Sequence, residues 1–431
     1  MKRYESYKPS GISWIGEIPS HWEVLDVSRL FNFQRGINFT KDLFCDSGEP
    51  VISYGQVHSK KNYGYTLNKE IIKYIPKNLT VGKNNAKCEF GDIIFADTSE
   101  DLAGCGNCIY IDDNNGIYAG YHTFLIKPKN QIVSQYFPFL FLSKQWRNQI
   151  TENCTEVKVF SITQSILRRC KILIPPLEEQ KKIVEYLSTK TSLIDAQQSA
   201  REKEIRLLEE LKQAEIANVV TRGLNPDVPM KDSGIPWIGK IPSHWEIRKI
   251  RSLYALRTEK VSDKDFEPLS VSKQGVTPQL EDAVKTDNGD NRKLVRKGDF
   301  VVNSRSDRKG SCGVSDLDGS VSLINIVIYP ITKLNPQYYH LLFRSNNYIE
   351  EFYRLGRGIV ADLWTTKFDD MRNIFVPYPP IEEQRAIVEY IEQKNKAIDD
   401  MIANLRAEID FLTEYKQRLI ADAVTGQIKI D

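Results

Sequence analysis

The feature that most restricts the fold is a repeat at very long range. Residues 8–24, KPSGISWIGEIPSHWEV, return as KDSGIPWIGKIPSHWEI at 231–247, with thirteen of seventeen positions identical. A second pair follows in the same order, PPLEEQKKIVEYLSTKTSLID at 175–195 and PPIEEQRAIVEYIEQKNKAID at 379–399. The offsets are 223 and 204 residues, far beyond the roughly 20 to 50 of stacked solenoid repeats, so a whole domain has been duplicated. The enclosed segments, 25–174 and 248–378, are dissimilar in sequence and differ in length, 150 against 131 residues. One scaffold is therefore used twice to carry two independent fillings.

The second repeated block opens a long helix in each half. The runs from Glu178 to Val220 and from Glu382 to Val424 contain no Pro or Gly, each follows a Pro-Pro pair, and acidic residues stand in each first turn. Each has 43 residues, or about 65 Å of helix. In the second run Ile398, Met401, Leu405, Ile409, Leu412, Tyr415 and Leu419 alternate spacings of three and four, the seam of a coiled coil. In the first, Leu187, Ile194, Ile205, Leu208, Leu211 and Val219 keep the rhythm less strictly, interrupted by Gln198 and Arg201. Two such helices bury their stripes by pairing, and antiparallel pairing follows if the repeats are related by a pseudo-twofold axis. Docking of each helix on its own globular domain is the other arrangement the pattern allows.

The fillings read as mixed α/β. GDIIFADTS at 91–99, FLIKP at 124–128, GDFVVNSRS at 298–306 and LINIVIYP at 323–330 are short, β-branched and bounded by turn residues, and Tyr136–Leu142 and Tyr338–Phe343 predict one helix per filling. The expected domains are 1–174, a helix over 175–223, a second globular domain over 224–378, and a helix over 379–431.

Overall charge says little, at 59 Lys and Arg against 57 Asp and Glu, but its distribution is uneven. Residues 25–170 carry a net +3 and 248–376 a net +4, while the helices carry −2 over 178–220 and −4 over 382–424. Positive charge sits on the fillings, where it can follow phosphates. No stretch approaches the roughly 18 to 20 apolar residues of a membrane span, and MKRYESYKPSG lacks the apolar region of a secretory signal, so the cytoplasm is the expected compartment. Seven irregularly spaced cysteines predict free thiols. Cys105 and Cys108 form the one CxxC; a zinc site would need two more ligands from Cys88, His58 and His122, and packing of two small residues is the alternative.

Catalytic patterns are missing from the sequence. No Ser-His-Asp or Cys-His arrangement stands out, and His21 and His244 share one repeat position, which suits packing or capping. GIPWIGKI at 234–241 lacks the Ser or Thr of a phosphate loop and holds Pro236 and Trp237 where a flexible loop is needed.

The duplicated GIxWIGxIPSHWE block, the PPLEEQ and PPIEEQ helix starts, and the KQ-x2-IA-x2-VT helix ends at 212–221 and 416–425 resemble the specificity (S) subunit of type I restriction-modification enzymes over essentially the whole chain. The resemblance implies two target recognition domains joined by two long helices in an antiparallel coiled coil, each domain reading one half of a split, asymmetric DNA sequence. It implies double-stranded DNA, two methyltransferase (M) subunits and, where present, restriction (R) subunits as partners. It also implies a non-catalytic chain with no cofactor of its own, S-adenosylmethionine and ATP with Mg residing on the partners. A DNA-binding scaffold or regulatory relative acting without a methyltransferase shares all these features and remains the alternative.

The family lends no residue-level motif to the fillings, so DNA-contact candidates come from chemistry. In the first domain these are Tyr54, Gln56, His58, Lys60 and Lys61 in SYGQVHSKKN, Lys83 and Asn84 in KNN, and Lys158 in TEVK. In the second they are Ser272, Lys273 and Gln274 in SVSKQG, Ser304, Arg305, Arg308 and Lys309 in NSRSDRKG, and Arg357 in LGRG. Gln and Asn pair with adenine, Arg with guanine, and Lys with guanine or phosphate.

Overall fold

The computed structural model describes residues 2–129, 134–156, 159–279, 289–358 and 364–430. The chain divides into two compact units, one formed by Met1–Arg201 with Ala407–Asp431 and the other by Glu202–Arg406. Each unit thus takes one filling and one half of each long helix, Leu177–Arg222 and Ile381–Val424.

In the first unit the repeat block forms the hairpin Tyr7–Pro9 and Glu17–Pro19, then the strand Glu23–Asp26, which pairs with Lys171–Ile174 just before the helix. Between these lies an antiparallel sheet in the order Phe31–Arg35, Thr123–Pro128, Ile93–Ala96, Cys108–Tyr110. The inner strand Ile93–Ala96 is buried on both faces, which explains why IIFA reads as an unbroken apolar run. Ile93 and Phe95 face Phe137, Phe141 and Trp146 of two short helices, Tyr136–Leu142 and Lys144–Thr151. Ile94 and Ala96 face a second cluster with Ile52, Val57 and Ile117.

The second unit repeats this plan on a different sequence. The hairpin Met230–Asp232 and Lys240–Pro242 leads to Glu246–Lys249, paired with Phe375–Tyr378. The sheet order is Tyr254–Leu256, Asn325–Pro330, Phe300–Asn303, Cys312–Val314. Phe300 and Val302 pack on Tyr339, Phe343, Tyr348 and Phe352 from the helices Pro336–Phe343 and Asn346–Arg354. Among the described residues each filling has two α-helices of seven residues or more, rather than the expected one, which corrects the sequence reading. Each additional helix is a single amphipathic stretch that starts straight after a Ser, at Ser143 and Ser345.

The frame is repeated down to single contacts. Glu179 in the first turn of its helix accepts from Trp22 Nε1 at 2.9 Å and pairs with His21 Nε2 at 2.6 Å, and Glu383 does the same with Trp245 and His244 at the same distances. The paired histidines are therefore packing elements of the frame. At the other end, the long helices finish at Gly223 and Gly426, both with φ near +70° and both against the repeat-block Trp. Tyr136 Oη donates to the carbonyl of Val424, and Tyr338 Oη to that of Val220, fastening each filling to a helix end. In the second unit that helix end precedes the repeat block in sequence. In the first it comes from the chain's last residues, where Lys429 N–H reaches the Lys2 carbonyl at 2.9 Å.

Within each unit the two helix halves run antiparallel. In the first, Asp195 meets Lys416 at 2.5 Å, Gln198 Nε2 donates to Thr413 Oγ1 at 2.7 Å, and Arg201 meets Glu408 at 3.0 Å. In the second, Glu209 meets Arg406, Lys212 meets Asp399 at 2.7 Å, and Glu215 accepts from Tyr390 at 2.7 Å. The seam itself departs from the expected one. The more enclosed positions are Ile391, Asn395, Ile398, Ile402, Leu405, Ile409, Leu412, Lys416 and Leu419 on one helix, and Leu187, Thr191, Ile194, Gln198, Arg201, Ile205, Leu208 and Lys212 on the other. Met401, Tyr415 and Leu211 face outward. Gln198 and Arg201 belong to the seam rather than interrupting it; polar seam residues fix register at some cost in stability. The helix ends, with Ile183, Leu187, Val219 and Val220, are built into the globular cores, so pairing and docking coexist.

Candidate nucleic-acid interface

In the first unit, Ser53 and Gln56 form a capping box that starts the single turn Tyr54–Val57, with Gln56 Oε1 accepting from Ser53 N–H at 3.0 Å. Tyr54 donates its hydroxyl to Glu100; burial, then this bond, raises its pKa. His58 contacts the Thr98 carbonyl through Nε2 at 2.8 Å and Asn107 through Nδ1 at 3.1 Å, so both ring nitrogens serve the domain itself. Lys60 is exposed, and Lys61 pairs with Glu70 at 2.8 Å. Lys83 and Asn84 stand exposed at the start of the one-turn helix Asn84–Ala86. Lys158 lies outside the described residues; the strands flanking it, Thr155–Glu156 and Phe160–Ser161, pair with each other and continue onto Thr98–Ser99.

Tyr54 and Gln56 line an open cavity of about 800 Å³ together with Lys41, Lys73, Tyr121 and His122. A neighbouring cavity of about 500 Å³ shares Thr98, Tyr121 and His122 and adds Arg35 and Gln164. Lys60, Lys61, Lys83 and Asn84 line neither. The sequence reading did not place Tyr121 or His122 among the DNA-contact candidates. His122 is the one non-glycine residue with positive φ, 53°, among the described residues, a conformation in which His is enriched, and no Gly or Pro within the turn marks it in the sequence.

In the second unit Lys273 and Gln274 form the exposed two-residue turn of the hairpin Leu269–Ser272 and Gly275–Pro278, with Ser272 Oγ accepting from Gln274 N–H at 3.1 Å. Arg344 holds this turn by donating to the Lys273 carbonyl and, at 2.7 Å, to the Cys312 carbonyl. Ser304 is buried and donates to the Ile324 carbonyl at 2.6 Å. Arg305 and Arg357 come together, since the backbones of both bridge to Thr365. This patch matches the three strands around Thr98 in the first unit. Each cation here has a carboxylate neighbour: Arg305 and Arg308 share Asp307, Lys309 meets Glu350, and Arg357, 84% exposed at its side chain, meets Asp370 at 3.0 Å. Behind the patch His340 accepts from Val314 N–H at 3.1 Å, and burial pushes its pKa down to about 4.

Comparison with known proteins fits this doubled architecture. The model of the type I restriction modification DNA specificity domain matches residues 19–207. A putative type I restriction enzyme MjaX specificity subunit of Methanocaldococcus jannaschii is 25% identical over 96% of both chains, and the EcoKI specificity subunit of Escherichia coli is 22% identical over 96% of this chain and 90% of its own. A solved chain from work on complex assembly and conformational transition of the type I R-M system covers 95% of this chain and 99% of its own with a TM-score of 0.66 at 17% identity; the HsdS subunit of Thermoanaerobacter tengcongensis covers 95% and 98% with 0.50 at 16%. Over nearly its whole length the chain is similar to type I restriction enzyme specificity subunits.

The free thiols are mostly buried: Cys105 and Cys108 are packed in the first core, with Cys105 Sγ 3.9 Å from Cys154 Sγ. Among the described residues no helix is long and apolar enough to cross a membrane.

Proposed function

We propose that each unit reads one half of a split, asymmetric DNA sequence and that the paired helices set the spacing between the halves and dock two adenine-methyltransferase subunits. The observation that carries this reading is the doubled frame: two Trp–Glu–His locks agreeing in distance hold two fillings whose loops differ in sequence and shape. A symmetric homodimer requires a palindromic target, whereas unlike fillings on one frame suit an asymmetric one. The net positive fillings supply phosphate contacts. S-adenosylmethionine, and ATP with Mg, belong to the partner subunits in this reading. So does extrusion of the target adenine, which costs a few kcal/mol that firm DNA binding by this chain helps to offset.

The test is to co-express the chain with the methyltransferase encoded beside it and map adenine methylation by single-molecule sequencing. A bipartite motif absent from cells holding either protein alone is expected. An active, co-purifying methyltransferase that leaves no such motif overturns the reading and favours a DNA-binding scaffold. Replacing residues 25–174 with another filling is expected to change one half of the motif only.

A further inference from the structure

The turn just before the longest strand of each sheet occupies the same place in both units and carries opposite chemistry. In the first unit it is Tyr121–His122, ahead of Thr123–Pro128; in the second it is Leu323–Ile324, ahead of Asn325–Pro330. Each is held by the residue that leaves the neighbouring strand. Asp97 donates its N–H to the His122 carbonyl at 3.1 Å, and its carboxylate meets His122 Nδ1 at 3.1 Å. Ser304 donates its hydroxyl to the Ile324 carbonyl. The next residues, Thr98 and Arg305, open the three-strand patch in both units.

These turns are exposed although their composition gives reason to bury them. Leu323 and Ile324 are 42% and 36% exposed, beside a strand that is otherwise core. His122 holds its ring outward, 60% exposed, from a backbone conformation costly to most side chains. A carboxylate can only accept, so in the neutral ring the Asp97 contact places the proton on Nδ1 and leaves Nε2 as an acceptor. Gln56, on the same cavity, gives its carbonyl oxygen to Ser53 N–H and keeps its amide donors. An acceptor beside a donor complements the N6 amino group and N7 of adenine in the major groove, whereas guanine shows two acceptors there. Exposed aliphatic side chains on a positively charged domain suit the thymine methyl group.

We propose that these two turns are the base-reading elements of the specificity subunit: His122 with Gln56 selects adenine in one half-site, and Leu323 with Ile324 selects thymine in the other. This rests on the reading of the chain as a bipartite DNA reader. The test uses the full chain with its co-expressed methyltransferase and compares methylation motifs. His122→Asn, whose side chain tolerates the left-handed backbone, is expected to relax one adenine position by about tenfold to a hundredfold in relative methylation, with the other half intact as proof of folding. Gln56→Glu keeps the cap to Ser53 and is expected to move the same position from adenine toward cytosine. Leu323→Ser with Ile324→Ser is expected to relax a thymine in the opposite half only. A wild-type motif accompanied by unchanged motifs in the His122 and Gln56 variants overturns the adenine assignment, and an unchanged motif in the double Ser variant overturns the thymine one. Absence of any motif from the wild-type chain with an active methyltransferase overturns the underlying reading instead.

Discussion

The same ion pair joins the two long helices once in each unit, and its two copies are unequally sheltered. Asp195 and Lys416 are 20% and 17% exposed at their side chains; their repeat equivalents, Asp399 and Lys212, are 59% and 23% exposed. The difference comes from the filling. In the first unit Tyr65 donates to Asp195 while its ring stacks on Phe139, and Lys416 lies over the rings of Tyr63 and Tyr65. Burial, then the Asp195 bond, raises the Tyr65 pKa. The repeat dictates which groups meet, and the filling dictates how dry the meeting is and therefore how much it matters.

The harshest test of equivalence is the buried tryptophan. Trp22→Ala and Trp245→Ala each remove a fully buried ring and its bond to Glu179 or Glu383, and each is expected to destabilise its own unit by about 3 to 5 kcal/mol. Hydrogen exchange resolved by segment should show protection lost in one unit and kept in the other; equal loss in both would mean that the units unfold as one.

Acid should separate the units next. His340 has an ordinary pKa of 6.5 and a folded one of about 4, lowered by burial and then by Arg344, with Asp316 opposing. The unfolded chain takes up the proton first, so the second unit keeps its full stability above pH 6.5 and loses about 3 kcal/mol as the pH falls toward 4. His340→Gln should flatten that loss. A first unit that weakens over the same window to the same degree would assign the effect to other groups.

The helix pairs give a finer contrast. Lys416→Met leaves a sheltered carboxylate with Tyr65 and is expected to cost about 2 kcal/mol, whereas Lys212→Met at the open copy should cost under about 1 kcal/mol. Equal costs would show that shelter by the filling is irrelevant. Smallest are the helix-end glycines. Alanine at Gly223 is expected to cost about 1 kcal/mol for its positive φ, and at Gly426 somewhat more, because the new methyl group would meet the Pro19 ring. Denaturant titrations of each variant against wild type read both effects.

The frame was legible in the sequence because duplication marks it: the block at 8–24 and 231–247, the helices after Pro175-Pro176 and Pro379-Pro380, and the strands at 91–99 and 298–306 all stand where composition and period place them. The seam was not fully legible, since Met401 satisfies an apolar rhythm as well as Ile402 does and Tyr415 satisfies it better than Lys416, and packing decides between adjacent positions. The interface was least legible. Ser304 and His58 sit in loops with the composition of a DNA contact, yet Ser304 is buried and both His58 nitrogens are engaged within the domain. Tyr121 and His122 form a two-residue turn without Gly or Pro, and only tertiary pairing with Asp97 reveals it.

One fastening has a wider meaning. The hydroxyl of Tyr136 or Tyr338 meets a main-chain oxygen of the helix end, not a side chain. Every helix end offers such an oxygen whatever its sequence, so an incoming segment needs only a tyrosine at the start of its aromatic helix to fit the socket. Interchangeable parts of this kind would let one filling be exchanged for another with no matching change in the rest of the chain.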